Sequence, residues 1–266
     1  MDDYPIKVGS MLFTMVDPNP GHEVAYNRWY ERDHFYAGCM IGPGMLSGRR
    51  WVAPRALKDL RFPATSPFAE PTDAGSYLSI YWVNRGQEEE WQSWAGEQVW
   101  WLYNNGRGFN ERTHAHTATY DHRSTVYADE DGVPIDLALD HHFAGLAVLS
   151  LEPADGTTTD ELRTWVEGEA VPKLLSGGGV ANVSSWTVRG QPQADDAASP
   201  MPLGASGGTP QRLVQLCFLD REPTELWAGL RDYTAAIDDG GRGLVTFAAP
   251  FLPTVVGTDT YADQLW

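Results

Sequence analysis

Cysteine is nearly missing from this sequence: Cys39 and Cys217 are the only two among 266 residues. Two cysteines supply neither a disulfide framework nor a zinc site, and a reducing, cytoplasmic setting is expected. Basic residues are also scarce, 19 Lys and Arg against 36 Asp and Glu, for a formal net charge of −17. So acidic a chain lacks the cationic surface that phosphate backbones need, which excludes nucleic acid as a partner and disfavours anionic lipid. No run of 18 apolar residues occurs, so no membrane span is expected. Met1-Asp2-Asp3-Tyr4 has neither the basic nor the apolar part of a secretory signal. A Walker loop, a GxGxxG after a strand and a GxSxG elbow are all missing, which argues against nucleotide cofactors and serine hydrolysis.

What the sequence does contain, it contains twice. Trp29 and Trp165, Arg85 and Arg221, and Trp91 and Trp227 are each 136 residues apart. Trp51 pairs with Trp186, and Arg107-Gly108 with Arg242-Gly243, at 135. A constant offset through separate landmarks marks a tandem duplication, with residues 1–135 as the first copy and 136–266 as the second. Positions that only hold the fold should stay alike in both copies, so a reactive residue confined to one copy points to function.

Each copy reads β-α-β-β-α-β. Residues 7–16 (KVGSMLFTMV) are apolar on both alternating faces, a strand covered on two sides, and Asp17-Pro18-Asn19-Pro20-Gly21 ends it. The pattern predicts a helix over 22–40 stopped by Gly42-Pro43-Gly44, strands over 45–52 and 77–83, a helix over 88–103 and a strand over 111–122. The Pro-rich loop at 53–75 carries Arg55, Lys58 and Arg61, and its counterpart, the Gly/Ser/Pro-rich stretch from Gln191 to Pro210, reads as a mobile loop. This order is the ferredoxin-like unit, with both helices on one sheet face. The other face is apolar and needs cover. The fold expected is therefore α+β: two tandem ferredoxin-like units packed sheet to sheet as an intramolecular α+β barrel with the helices outside. An additional homodimer is compatible with it.

Asn27-Arg28-Trp29-Tyr30-Glu31-Arg32-Asp33-His34, then Pro43-Gly44 and Arg49-Arg50-Trp51, resembles the EthD-like branch of the dimeric α+β barrel superfamily. The second copy keeps a degraded version in which Ala170 stands at the His position. In the first copy Tyr36 stands where the family's usual Pro belongs. The resemblance implies the fold, and an activity among cyclases, decarboxylases and cofactor-free oxygenases or none at all; relatives that bind haem share the paired units.

The candidate residues follow from the comparison of the two copies. His34 would act as general acid or base, assisted by Asp33 or Tyr30. Arg49 and Arg50, opposite Ser184 and Ser185, point to opposite faces of their strand, and Arg50 is the one assigned to the cavity as anion holder. His114 and His116 alternate along the fourth strand with Tyr120 and are read as one pocket wall; counting from the Arg-Gly anchor places Ala249 and Phe251 opposite them. Trp91 has a twin and is assigned to the core, whereas Trp94, facing Leu230, is assigned to the pocket. Neither metal nor organic cofactor is expected, with haem as the alternative. Together these describe a cofactor-independent enzyme acting on an aromatic or polyketide-like substrate by cyclisation, isomerisation or cleavage. The alternative is a binding protein for a hydrophobic aromatic metabolite or haem.

Overall fold

The computed structural model describes residues 6–190, 200–204 and 210–266, so much of the stretch from Gln191 to Pro210 lies outside the described residues. The first run is β1 (Val8–Pro18), α1 (Glu23–Trp29), a π-helical segment (Tyr30–Met40), β2 (Met45–Val52), a short α2 (Arg55–Lys58), β3 (Tyr77–Asn84), α3 (Glu88–Asn104) and β4 (Arg112–Tyr127). The second is β5 (Gly145–Pro153), α4 (Thr159–Trp165), a π-helical turn (Val166–Ala170), α5 (Val171–Ser176), β6 (Val180–Val188), β7 (Leu213–Leu219), α6 (Pro223–Asp239) and β8 (Gly243–Pro253). The strands pair antiparallel in the closed order β1-β3-β2-β8-β5-β7-β6-β4. Each run thus keeps the ferredoxin-like order, and the two sheets join at their edges. The β4–β6 seam is long, from Tyr120↔Val188 to Tyr127↔Asn182, and the β2–β8 seam consists of Trp51↔Pro253 and Val52↔Leu252. This is the α+β barrel read from the sequence. Among the described residues, no helix is long and apolar enough to cross a membrane.

The two apolar faces of β1 find two different covers. Met11, Phe13 and Met15, fully buried, point into the barrel, whereas Val16 packs under the helices. The barrel interior is filled. Trp82 and Trp186 stack inside it at 4.8 Å, and residues around Ile135 and Phe143 close one end, where Trp82 Nε1 donates to the Ile135 carbonyl at 3.2 Å. The loop between β2 and β3 closes the other end with Leu57, Phe68 and Ala69. Its Arg61 is buried and donates to the carbonyls of Ala74 and Gly75. The cationic loop of the sequence reading is therefore a plug: Arg61 meets loop carbonyls, Arg55 the carboxylates of Asp59 and Asp73, and Lys58 the Ser76 hydroxyl.

Two departures from the expected elements shape the site. The helix expected over 22–40 changes after Trp29 into a π-helical segment, and its twin changes at the equivalent place, after Trp165. The second departure concerns the long helices. In α6 the stripe Trp227, Leu230, Thr234 and Ile237 is buried against its sheet. The 136-residue offset maps this stripe onto Trp91, Trp94, Gln98 and Trp101, of which Trp91 alone is buried. The rest of the α3 stripe leans on the π-helical segment: Gln98 Nε2 donates to the Ala37 carbonyl at 2.6 Å, and Trp94 packs over Gly42. Towards the sheet, the middle of α3 presents the small or short residues Ala95, Gly96 and Val99 with Gln92, between the rings of Trp91 and Tyr103. The first helix layer stands off its sheet, and the second is packed shut.

Candidate functional site

That gap is a cavity of about 750 Å³ between α3, the π-helical segment and the outer face of β1 and β4. Trp91, Tyr30, Tyr103, Val16 and Leu12 give it apolar and aromatic walls, and His34, Cys39, Arg112 and His114 supply its polar chemistry. The second half closes it: Val188 and Arg189 from β6 and its end, and the segment Pro200–Leu203, line its other side. Asp121 and Arg189 pair at 2.6 Å in this lining.

His34 stacks on Trp29 with centroids 4.5 Å apart and meets the edge of Tyr30 at 5.2 Å. Gly38, one π-turn on, makes room for it, since a Cβ there would stand 2.7 Å from His34 Cε1. No described residue hydrogen-bonds its ring nitrogens, and its open side faces the cavity. Burial, then the positive charge of Arg112, holds the imidazole well below its usual pKa, so it is neutral. His114 is also neutral, pushed down to about 3 by burial and by Arg112. Its Nδ1 shares a 2.7 Å hydrogen bond with Thr117 Oγ1, and its Nε2 is buried without a partner. Tyr30 is buried and shares a 2.8 Å hydrogen bond with the Tyr81 hydroxyl; burial raises its pKa. Burial also pushes the Cys39 thiol up to about 12.

Several residues read from the sequence stand elsewhere. Asp33 turns outward and pairs with Arg107, so it does not assist His34. Arg50 lies under α1, away from the cavity lining, with Nη1 donating to Asn27 Oδ1 at 2.8 Å and pairing with Glu31 at 3.3 Å. It also lies 4.5 Å from the Tyr30 ring, in a structural position. Arg49 ties β2 to the inter-unit segment through the carbonyls of Leu139 and His141. Trp91, buried as expected, lines the cavity, whereas Trp94, expected there, does not and packs over Gly42 instead.

His114 and His116 do not share a face. The β1–β4 ladder slips between Met15↔His116 and Val16↔His114, a β-bulge that reverses the alternation. His116 therefore points into the barrel, fully buried, stacked on Phe68 at 3.8 Å, with Nε2 sharing a 2.7 Å hydrogen bond with Tyr120. Tyr120 belongs to the same interior core. The second sheet has its own slip, between Ser150↔Phe247 and Leu151↔Val245. By ladder position, Phe247 is thus the counterpart of His116 and Val245 that of His114, in place of the Phe251 and Ala249 counted from the anchor. Phe68 confirms the pairing by stacking on both His116 and Phe247.

Arg112 was missed. It begins β4 two residues before His114, on the same face, so strand alternation could have found it. Its side chain is 8% exposed and lies 4.6 Å over the Trp29 ring. The contribution of Met201 had no local signal, because it reaches the cavity from the other half of the chain.

No family model and no curated protein matches this sequence. Solved structures do. An anthrone oxidase-like protein matches with TM-score 0.54 at 11% identity, over 96% of this chain and 98% of its own. A chlorite dismutase candidate matches with TM-score 0.54 at 10% identity, over 98% and 100%. A dye-decolorizing peroxidase from Bacteroides thetaiotaomicron matches with TM-score 0.53 at 10% identity, over 99% and 98%. At such identities the likeness is one of fold, the ferredoxin-like α+β barrel. The set also corrects the expectation of no cofactor. It holds a dye-decolorizing peroxidase and a chlorite dismutase candidate, so the cofactor-free reading is withdrawn.

Proposed function

We propose that the cavity under α3 is the reaction site of an enzyme acting on a flat, largely aromatic small molecule, with His34 as the group that takes and returns a proton. One observation carries this reading: a neutral imidazole, unbonded among the described residues, faces an aromatic-walled cavity in the half where the twin position is Ala170 rather than His. Proton transfer by such a group contributes roughly 10² to 10⁴ in rate, enough for enolisation, cyclisation or cleavage of an activated aromatic ketone. Burial and Arg112 hold the pKa of His34 low for a base. Negative charge developing on a substrate beside Arg112 would offset the repulsion that lowers it. Tyr30, at its edge, is the neighbour that fixes the ring. The motif shared with the EthD-like branch supports the same assignment.

Haem, implied by the neighbours, suits the same residues in kind. A neutral imidazole with free ring nitrogens is the form that ligates iron, so His34 would hold it, and Arg112 would face a propionate. Bound there, it would supply electron-transfer and oxygen chemistry. His34 would then orient the group, and the aromatic walls would exclude water.

Anthrone, named by one of the neighbours, tests the reading. Aerobic conversion to anthraquinone and water is followed by absorbance, with and without haemin. The wild-type protein should accelerate it, and His34→Ala should lose about a hundredfold of that acceleration. A rate no faster than buffer overturns the enzymatic reading, and an undiminished rate in His34→Ala overturns the role of His34. A Soret band that appears with haemin and is lost in His34→Ala assigns His34 to the iron.

A further inference from the structure

We infer that the molecule taken by this cavity is an organic acid, an aromatic body whose carboxylate pairs with Arg112. The inference rests on the cavity being the ligand site and adds what the ligand must carry.

Buried charge is expensive unless it is compensated, and the other buried guanidiniums of this chain show what compensation looks like. Arg50 has Glu31 and Asn27. Arg61 has the carbonyls of its loop. Arg212 has the Glu152 carboxylate at 3.8 Å, a counter-charge nearby although its Nε, Nη1 and Nη2 make no hydrogen bond. Among the described residues, Arg112 has neither carboxylate nor carbonyl. Its Nε and Nη2 lie 3.3 and 3.2 Å from Met201 Sδ, and Nη2 lies 3.2 Å from the Tyr103 hydroxyl. A thioether and a phenol are weak, uncharged acceptors that orient the guanidinium without neutralising it. Its Nη1 is buried with no partner at all. The Trp29 ring beneath fixes the plane of the fork.

Among the described residues, no carboxylate of the protein competes for it. Asp121, which lines the same cavity, is paired with Arg189, and Glu89 is exposed. His34 and His114, both lowered by burial and by the charge of Arg112, are neutral and supply no counter-charge. A ligand carboxylate is thus the missing counter-charge, received by a planar donor suited to it. A free aromatic acid and a haem propionate present the same group.

The test compares anthracene-2-carboxylate with its neutral isostere anthracene-2-carboxamide, binding being read by tryptophan fluorescence and calorimetry. The wild-type protein should bind the acid ten- to a hundredfold more tightly than the amide, the range of a charge-assisted hydrogen bond. Arg112→Met should abolish that ratio and leave the amide within about twofold, and Arg112→Lys should keep part of it. The wild-type ratio stands on its own should Arg112→Met not fold. Equal binding of acid and amide by the wild-type protein, or a ratio unchanged in Arg112→Met, overturns the inference and leaves the cavity reading intact. Haemin is the second arm: haemin binding that weakens tenfold in Arg112→Met, with neither anthracene bound, identifies the carboxylate as a propionate. Failure of all three probes to bind overturns the cavity reading together with the inference.

Discussion

Replacing His114 by Gln should flatten the acid limb of this protein's stability curve. In the fold the His114 pKa is pushed down to about 3 from an ordinary 6.5, by burial first and then by the positive Arg112. The sign follows from proton uptake. Below pH 6.5 the unfolded chain protonates this imidazole, and the folded chain does not until near pH 3. The neutral ring therefore contributes fully above pH 6.5, and its contribution falls as pH drops towards 3. One such group costs about 1.4 kcal/mol per pH unit inside that window, or about 2 kcal/mol between pH 6.5 and 5. The ring is partly open to the cavity, which screens the charge and brings the figure to about 1–2 kcal/mol. That interval lies above the titration of ordinary carboxylates, and His34 and His122, also lowered in the fold, contribute alike to both proteins and cancel in the comparison. Urea midpoints at pH 7, 6 and 5 measure it directly. The wild-type protein should lose about 1–2 kcal/mol more than His114→Gln over the interval. Parallel curves for the two proteins would show that the ring is solvated and that the cavity does not desolvate it.

Two further substitutions separate scaffold from site. Arg50→Met should destabilise by about 3–5 kcal/mol, because Glu31 loses its buried partner, and the acid-over-amide ratio should not change; a change in that ratio would return Arg50 to the cavity. Gly38→Ala places a methyl 2.7 Å from His34 Cε1 and should cost about 1–3 kcal/mol by overpacking, with anthrone turnover lost as the ring leaves Trp29. Gly229→Ala on α6, outside the cavity lining and with nothing within 4 Å of its added Cβ, is the control and should stabilise α6 by up to about 1 kcal/mol. Equal effects of the two alanines on turnover would refute the role of the His34 pocket.

The barrel was legible in the sequence because two signals carried it. The tandem offset set the number of units, and the two apolar faces of β1 demanded covers on both sides. The site was legible at His34, where the twin position is Ala170, and in part at Tyr30 and His114, which line the same cavity. What failed was phase. A single slipped pair at Ala115 sends His114 under the helices and His116 into the barrel, and nothing in the residues 112–116 announces a bulge. The helix layer failed for a related reason: a stripe of Trp91, Trp94 and Trp101 reads as a core face, and only the structure shows α3 turned so that much of it leans outward. Arg50, an arginine beside a tryptophan on a strand, looks the same in sequence whether it meets Glu31 or a ligand. Met201 reaches Arg112 across 89 residues of chain, a contact that local patterning cannot reveal.

Histidine-resolved NMR during a titration with anthracene-2-carboxylate bears most directly on the claim that the gap under α3 is where this protein holds its ligand. The imidazole signals of His34 and His114 should move, and both pKa values should rise as the bound acid offsets Arg112, with His116 and His122 unshifted. Shifts confined to His116, or to the surface rings of His22, His141 and His142, would put the ligand elsewhere and contradict the account.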